Sequence, residues 1–189
     1  MSLKKINIRN SVLILMIVLA TATRVFSLGT IVSWANFTPV GAVALFGGAY
    51  FSNKWKAYLV PLAILLMSDL LINYFKYQHT GLYGNSVVVY ISFAAMVFIG
   101  SLIKKVNVAN VLMAAVGAVV IHWLITDTTF NSTLYAGGLL GYMQSLTAAI
   151  PFELKMICGN IVFCAILFGG FELAKSKYTV LQTNKELAV

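Results

Sequence analysis

Charge is what this chain has least of. Only 10% of its 189 residues are Asp, Glu, Lys or Arg, and just five of those are acidic. Histidine occurs twice and cysteine twice. A soluble domain needs a polar exterior, and a chain 60% hydrophobic with mean hydropathy +0.91 holds too little of one. Two histidines cannot furnish an ordinary zinc site by themselves. Cys158 and Cys164 are six apart in one apolar segment, a spacing that does not set them side by side on a helix. They read as small buried hydrophobes rather than a disulfide. There is no glycine-rich phosphate loop with a following lysine, no Gly-x-Ser-x-Gly and no His-Glu-x-x-His. His122 and Asp127 are the one Asp–His pairing on offer, and no nucleophile is spaced to join them. The inventory speaks against an enzyme, and no cofactor or metal is expected.

What the chain has instead is apolar runs punctuated by basic clusters. Ten of the thirteen basic residues fall in four groups: Lys4, Lys5 and Arg9; Lys54 and Lys56; Lys104 and Lys105; Lys175, Lys177 and Lys185. Between groups the chain is long enough to cross a hydrocarbon core of about 30 Å and return. Cytoplasmic segments of membrane proteins are rich in Lys and Arg, so the clusters mark one side as the inside. Ten basic residues against Glu172 and Glu186 then put the whole formal charge of +8 on that side. Elsewhere Arg24, Lys76 and Lys155 cancel Asp69, Asp127 and Glu153. The excess is a topological signal, with some attraction to anionic lipid head groups, and no patch remains that needs a nucleic acid. The expected fold is an all-α integral membrane protein: a bundle of six transmembrane helices with N- and C-termini cytoplasmic.

The helices are expected at 11–28, 38–52, 55–75, 86–103, 108–126 and 151–174. Together they make one transmembrane domain over 1–175, followed by a mobile cytoplasmic tail at 176–189. Ala20-Thr21-Ala22 resembles a signal-peptide cleavage site, but the apolar segments that follow favour a retained first helix. The second helix is short and rich in Gly41, Ala42, Ala44, Gly47, Gly48 and Ala49. Small side chains let backbones approach closely, which places it inside the bundle. Residues 127–150 read as an outer loop with a short helix lying over or dipping into the bundle. Pro151 suits the first turn of the last helix.

On this orientation Arg24, Asp69, Asn73, His122 and Asp127 fall in the outer halves of outward-running helices. Asn36, Thr38, Glu153 and Asn160 fall near the outer starts of inward-running ones. Ionisable groups inside a membrane are costly and mark functional sites by default. Their gathering in one leaflet points to a polar cavity opening outward, with Arg24, Asn36, Asp69, Asn73, His122 and Asp127 as substrate-binding candidates. Asp69 and Asn73 are four apart and share a helix face. Blander roles compete. Asp69 would pair with Arg24 and lock the first helix to the third, and His122 would be a hydrogen-bonded packing residue. Glu153 would sit at the positive end of the last helix dipole. Tyr83, Tyr90, Trp123, Phe130, Tyr135 and Tyr142 would form an interfacial belt, or in part line a pocket for a flat organic ligand.

The run Asn-Phe-Thr-Pro-Val-Gly-Ala-Val-Ala-Leu-Phe-Gly-Gly-Ala-Tyr-Phe occupies 36–51. With Pro61, Met67-Ser68-Asp69, Ala148-Ala149-Ile150-Pro151-Phe152 and Cys158-Gly159-Asn160, it resembles an uncharacterised bacterial family of membrane transport proteins, DUF6580-like. That family is similar in architecture to the S components of energy-coupling-factor (ECF) vitamin transporters. The resemblance implies an S-component-like bundle in a bacterial cytoplasmic (inner) membrane, capturing a vitamin or related compound from outside. It also implies partners: a transmembrane T component and two cytoplasmic ATPases, since the chain has no nucleotide site of its own. S components often carry Ala-x-x-x-Ala in the first helix as a docking face. Here Ala20 is followed four residues later by Arg24, and Ala44-x-x-x-Gly48 and Ala114-x-x-x-Ala118 are the alternative stripes.

Two functions of different class follow. One is a substrate-binding subunit for uptake of a small organic micronutrient; the other is a non-transporting scaffold of cell-envelope assembly with a similar fold. A scaffold needs no ligand cavity, so its polar residues should pair completely with one another. A self-sufficient channel would need a polar path to both faces, and the inner halves of these segments are too apolar for one.

Overall fold

The computed structural model describes residues 7–27, 36–82, 84–127, 135 and 137–183. Its helices are α1 (Ile8–Ser27), α2 (Val40–Tyr50), α3 (Lys54–Tyr77), α4 (Ser86–Ser101), α5 (Val108–Thr126), α6 (Gly138–Cys164) and α7 (Gly170–Lys177). A five-residue π-helical turn, Ala165–Gly169, joins α6 to α7 in one run, Gly138–Lys177. No strand occurs among the described residues. Three helical runs are long and apolar enough to cross a membrane: Lys54–Tyr77, Val108–Thr126 and Gly138–Lys177. The chain is thus an all-helical protein with the character of a membrane protein.

α2 is apolar all round, and a helix with no polar face belongs in a core. Every residue of α2 except Ala49 is buried. It packs against α1, α3, α4, α5 and α6. Glycines make this closeness possible. A Cβ on Gly48 would meet the Val97 carbonyl of α4, one on Gly100 would meet Leu45 of α2, and one on Gly47 would meet Pro61 of α3. Ala44, Gly48, Ala114 and Ala118 are all buried inside the bundle, so both small-residue stripes serve internal packing.

Asparagine opens three helices that start from one end of the molecule. Asn53 Oδ1 accepts from the Trp55 N–H at 2.9 Å, Asn107 Oδ1 from the Asn110 N–H at 2.8 Å, and Asn7 Oδ1 from the Asn10 N–H at 3.1 Å. Each satisfies a backbone donor that the first turn leaves open. The basic clusters gather at this same end. Arg9, Lys104, Lys105 and Lys175 line one cleft with Tyr50, Ser52 and Glu172. Phe46 and Tyr50 of α2 stack against Phe168 and Phe171 just beneath, with ring centroids 4.5–5.8 Å apart. Phe168 and Phe171 are three apart and so share a helix face, with Phe168 inside the π turn.

The structure corrects the sequence reading in two places. The last helix begins at Gly138, not at Pro151, which lies inside α6. The segment expected as a loop with a short helix is therefore, from residue 138 on, continuous with the final helix. At 40 residues the run Gly138–Lys177 is about 60 Å long, twice the hydrocarbon thickness. The tail also begins in a docked form. Leu181, in a 3₁₀ turn at Thr179–Leu181, is 4% exposed, and its carbonyl accepts from Arg9 Nε at 3.0 Å. Residues 128–134 and 136 of the expected loop and 184–189 of the expected tail lie outside the described residues.

Candidate functional site

The end opposite the basic cleft carries two polar constellations. In the first, Arg24 of α1 pairs with Asp69 of α3 through Nη1 and Oδ1, and the same Nη1 donates to Ser68 Oγ at 2.9 Å. Tyr90 of α4 donates its hydroxyl to the other Asp69 oxygen at 2.8 Å. Three helices are tied at one point, and every charge there has a partner. Asn73 stands apart. It is buried, its Nδ2 donates to the Gly81 carbonyl at 2.8 Å, and its own carbonyl accepts from the His79 N–H. Its role is to close the end of α3, where Gln78 adopts a left-handed conformation.

The second constellation is a cavity of about 410 Å³ between the end of α5 and the first half of α6. Asn36, His122, Thr126, Asp127, Tyr135, Ser145, Phe152 and Glu153 line it, with Ala148 and Ala149. Packing in this region explains the shape. Asn160 Nδ2 donates to the Ala115 carbonyl at 2.7 Å, and Glu153 faces His122. Seven residues separate Asn160 from Glu153 and seven separate Ala115 from His122, so α5 and α6 run antiparallel in step. Beyond Pro151 they fall out of step. Trp123 Nε1 donates to the Leu146 carbonyl at 3.2 Å, and the Tyr142 hydroxyl to the Leu124 carbonyl at 2.8 Å. The eleven residues from Glu153 back to Tyr142 answer to only two from His122 to Leu124. The start of α6 therefore crosses the end of α5 instead of continuing beside it, and the cavity lies in that crossing.

Glu153 is the residue the sequence misplaced. It is the sixteenth residue of α6, far from the helix dipole's positive end. It is 7% exposed; Oε1 is 3.9 Å from His122 Nδ1, and Oε2 has no hydrogen-bond partner among the described residues. The His122 ring rests against Phe93, 5.5 Å between centroids, one turn along α4 from Tyr90. The Thr126 hydroxyl donates to the His122 carbonyl at 2.9 Å. Asp127, just past α5, has its carboxyl pushed up from the ordinary range because burial disfavours its charge. Of the six expected binding residues, the structure brings Asn36, His122 and Asp127 into one cavity. It assigns Arg24 and Asp69 to the ion pair and Asn73 to the helix end. Tyr83 and Phe130 lie outside the described residues.

Among the described residues no three His, Cys, Asp or Glu side chains gather as a metal site. Cys164 is buried and its Sγ approaches Asn160 Oδ1 at 4.0 Å, whereas Cys158 is exposed on α6.

The match to known families covers residues 4–182, to a family of unknown function, DUF6580. The chain belongs to the DUF6580 family. No curated protein matches it, and no solved structure does. The function of this DUF6580 member has to be argued from its own geometry.

Proposed function

We propose that this protein is a substrate-binding membrane subunit for uptake of a small organic micronutrient, a vitamin or related compound. In this reading six helices cross a bacterial inner membrane, the basic end faces the cytoplasm, and the α5–α6 cavity captures ligand from the extracytoplasmic side. Sidedness supports it: basic clusters at one end and the polar cavity at the other agree with the rule that cytoplasmic segments are Lys/Arg-rich. A volume of about 410 Å³ is in the range of small-molecule sites. The all-helical bundle is compatible with an S-component-like architecture. A transmembrane T component and cytoplasmic ATPases would supply the energy, docking on a face other than the two buried small-residue stripes.

The observation that carries the reading is Glu153, a residue of the cavity wall whose Oε2 is buried with no partner among the described residues. A scaffold of cell-envelope assembly, the alternative, has no use for an open cavity edged by an unsatisfied carboxyl. Arg24 and Asp69 satisfy the scaffold expectation of complete pairing, and Glu153 does not. Native mass spectrometry of protein purified from membranes tests the choice. A bound small molecule is expected, and it should be lost in Ala148→Trp, which fills the cavity. Ligand-free protein that also ignores a panel of vitamins would leave the scaffold standing.

A further inference from the structure

Among the described residues neither carboxyl of the cavity meets a hydrogen-bond donor. His122 Nδ1, at 3.9 Å, is beyond hydrogen-bond reach of Glu153 Oε1, and Oε2 is buried without a partner among the described residues. Asp127 uses its backbone N–H on the Trp123 carbonyl, and no described residue donates to its side chain. Thr126, the residue before Asp127, directs its hydrogen to a backbone carbonyl. No Lys or Arg is among the described lining residues. Residues 28–35 and 128–134, which adjoin Asn36 and Asp127 in the chain, contain no charged residue at all. Lys155 stands over the outer Phe152 ring at 5.9 Å but is not part of the lining.

Carboxyls withdrawn from water are costly unless something donates to them. The cavity also offers the rings of Phe152 and Tyr135, and aromatic faces attract cations. Resting on the capture reading above, we infer that the ligand is a flat organic cation, a nitrogen base whose N–H groups donate to Glu153 and Asp127 while its ring lies on Phe152 or Tyr135. A ligand carrying a carboxylate would add a third negative group to a site with no basic side chain to receive it, and is rejected.

Three probes of nearly one shape test the charge alone: benzamidine (cationic), benzamide (neutral) and benzoate (anionic). Each is titrated into the full chain in lipid nanodiscs. Benzamidine is expected to bind and raise the unfolding temperature, with benzamide weaker and benzoate silent. Glu153→Gln keeps the shape and removes the charge, so benzamidine should weaken by about tenfold or more while benzamide holds. Asp127→Asn should weaken benzamidine in the same sense, and neither variant should unfold sooner without ligand. Benzoate binding as tightly as benzamidine, or an unchanged benzamidine affinity in both variants, overturns the cationic class and leaves the capture site intact. Binding by none of the three also overturns it. The capture reading then stands or falls separately, on whether a compound without a basic nitrogen co-purifies.

Discussion

Arg24 of α1 and Asp69 of α3 form an ion pair whose two ends are completed by Ser68 and Tyr90. With about a fifth of each side chain exposed, the pair is largely withdrawn from solvent. Removing one partner strands the other. Asp69→Ala should therefore destabilise the bundle by about 3 kcal/mol, whereas Arg24→Met with Asp69→Leu should recover most of the loss. Denaturant unfolding of the single and double variants measures this. Ligand affinity of the folded fraction should not change. A loss of affinity without a loss of stability would return Asp69 to the binding site.

The α2–α4 contact makes a sharper demand. Gly48 and Gly100 face backbone, which cannot rotate out of the way. Gly48→Ala and Gly100→Ala should each cost about 3 kcal/mol, at the upper end for overpacking. Gly117 of α5 has open space where its Cβ would be, so Gly117→Ala should be neutral or gain up to about 1 kcal/mol. Equal effects at all three positions would contradict the close crossing.

The Asp127 carboxyl sets a pH dependence whose sign differs for stability and for binding. Its folded value lies above its unfolded one because of burial. Its contribution to stability is therefore fully present below the ordinary Asp value of about 3.9 and is lost as pH rises through the raised value. A cationic ligand needs the ionised form, so affinity should fall on acidification sooner than an ordinary Asp would dictate. His122 of α5 and Glu153 of α6 share the cavity and contribute to the total curve. The difference between wild type and Asp127→Asn isolates the Asp127 component. If the two profiles coincide, Asp127 plays no part.

Sidedness can be read directly by labelling. In a Cys158→Ser background, Lys104→Cys at the basic end should react with a membrane-impermeant maleimide only after cells are permeabilised. Gln144→Cys, exposed near the start of α6, should react in intact cells. The reverse pattern would place the cavity on the cytoplasmic side and end the uptake reading.

Much of the bundle was legible because its signals are local. Lys4–Arg9, Lys54–Lys56, Lys104–Lys105 and Lys175–Lys177 punctuate apolar runs, and five helices lie within a few residues of where that punctuation puts them. The small residues of α2 announced its central place. Pro151 misled, because a proline near an apolar run reads equally well as a first turn or as a tolerated interior residue. That single ambiguity displaced Glu153 from the wall of the cavity to the tip of a helix. Gly137 and Gly138, followed by Leu139 and Leu140, were the available hint that the helix starts earlier. Asn73 failed differently. Its spacing from Asp69 is helical, but a shared face does not say that two side chains find the same partner.

The order of basic and apolar segments determined by itself the solvent this chain requires, the helices that meet it and the end at which each ionisable group lies, because hydration cost acts on each segment separately. Which groups satisfy one another was decided only by tertiary packing. Arg24 met Asp69 because α1 lies on α3, and Glu153 was left without a donor among the described residues because α6 crosses the end of α5. Pairing depends on distances of a few ångströms between segments far apart in the chain, and no local pattern of residues encodes them.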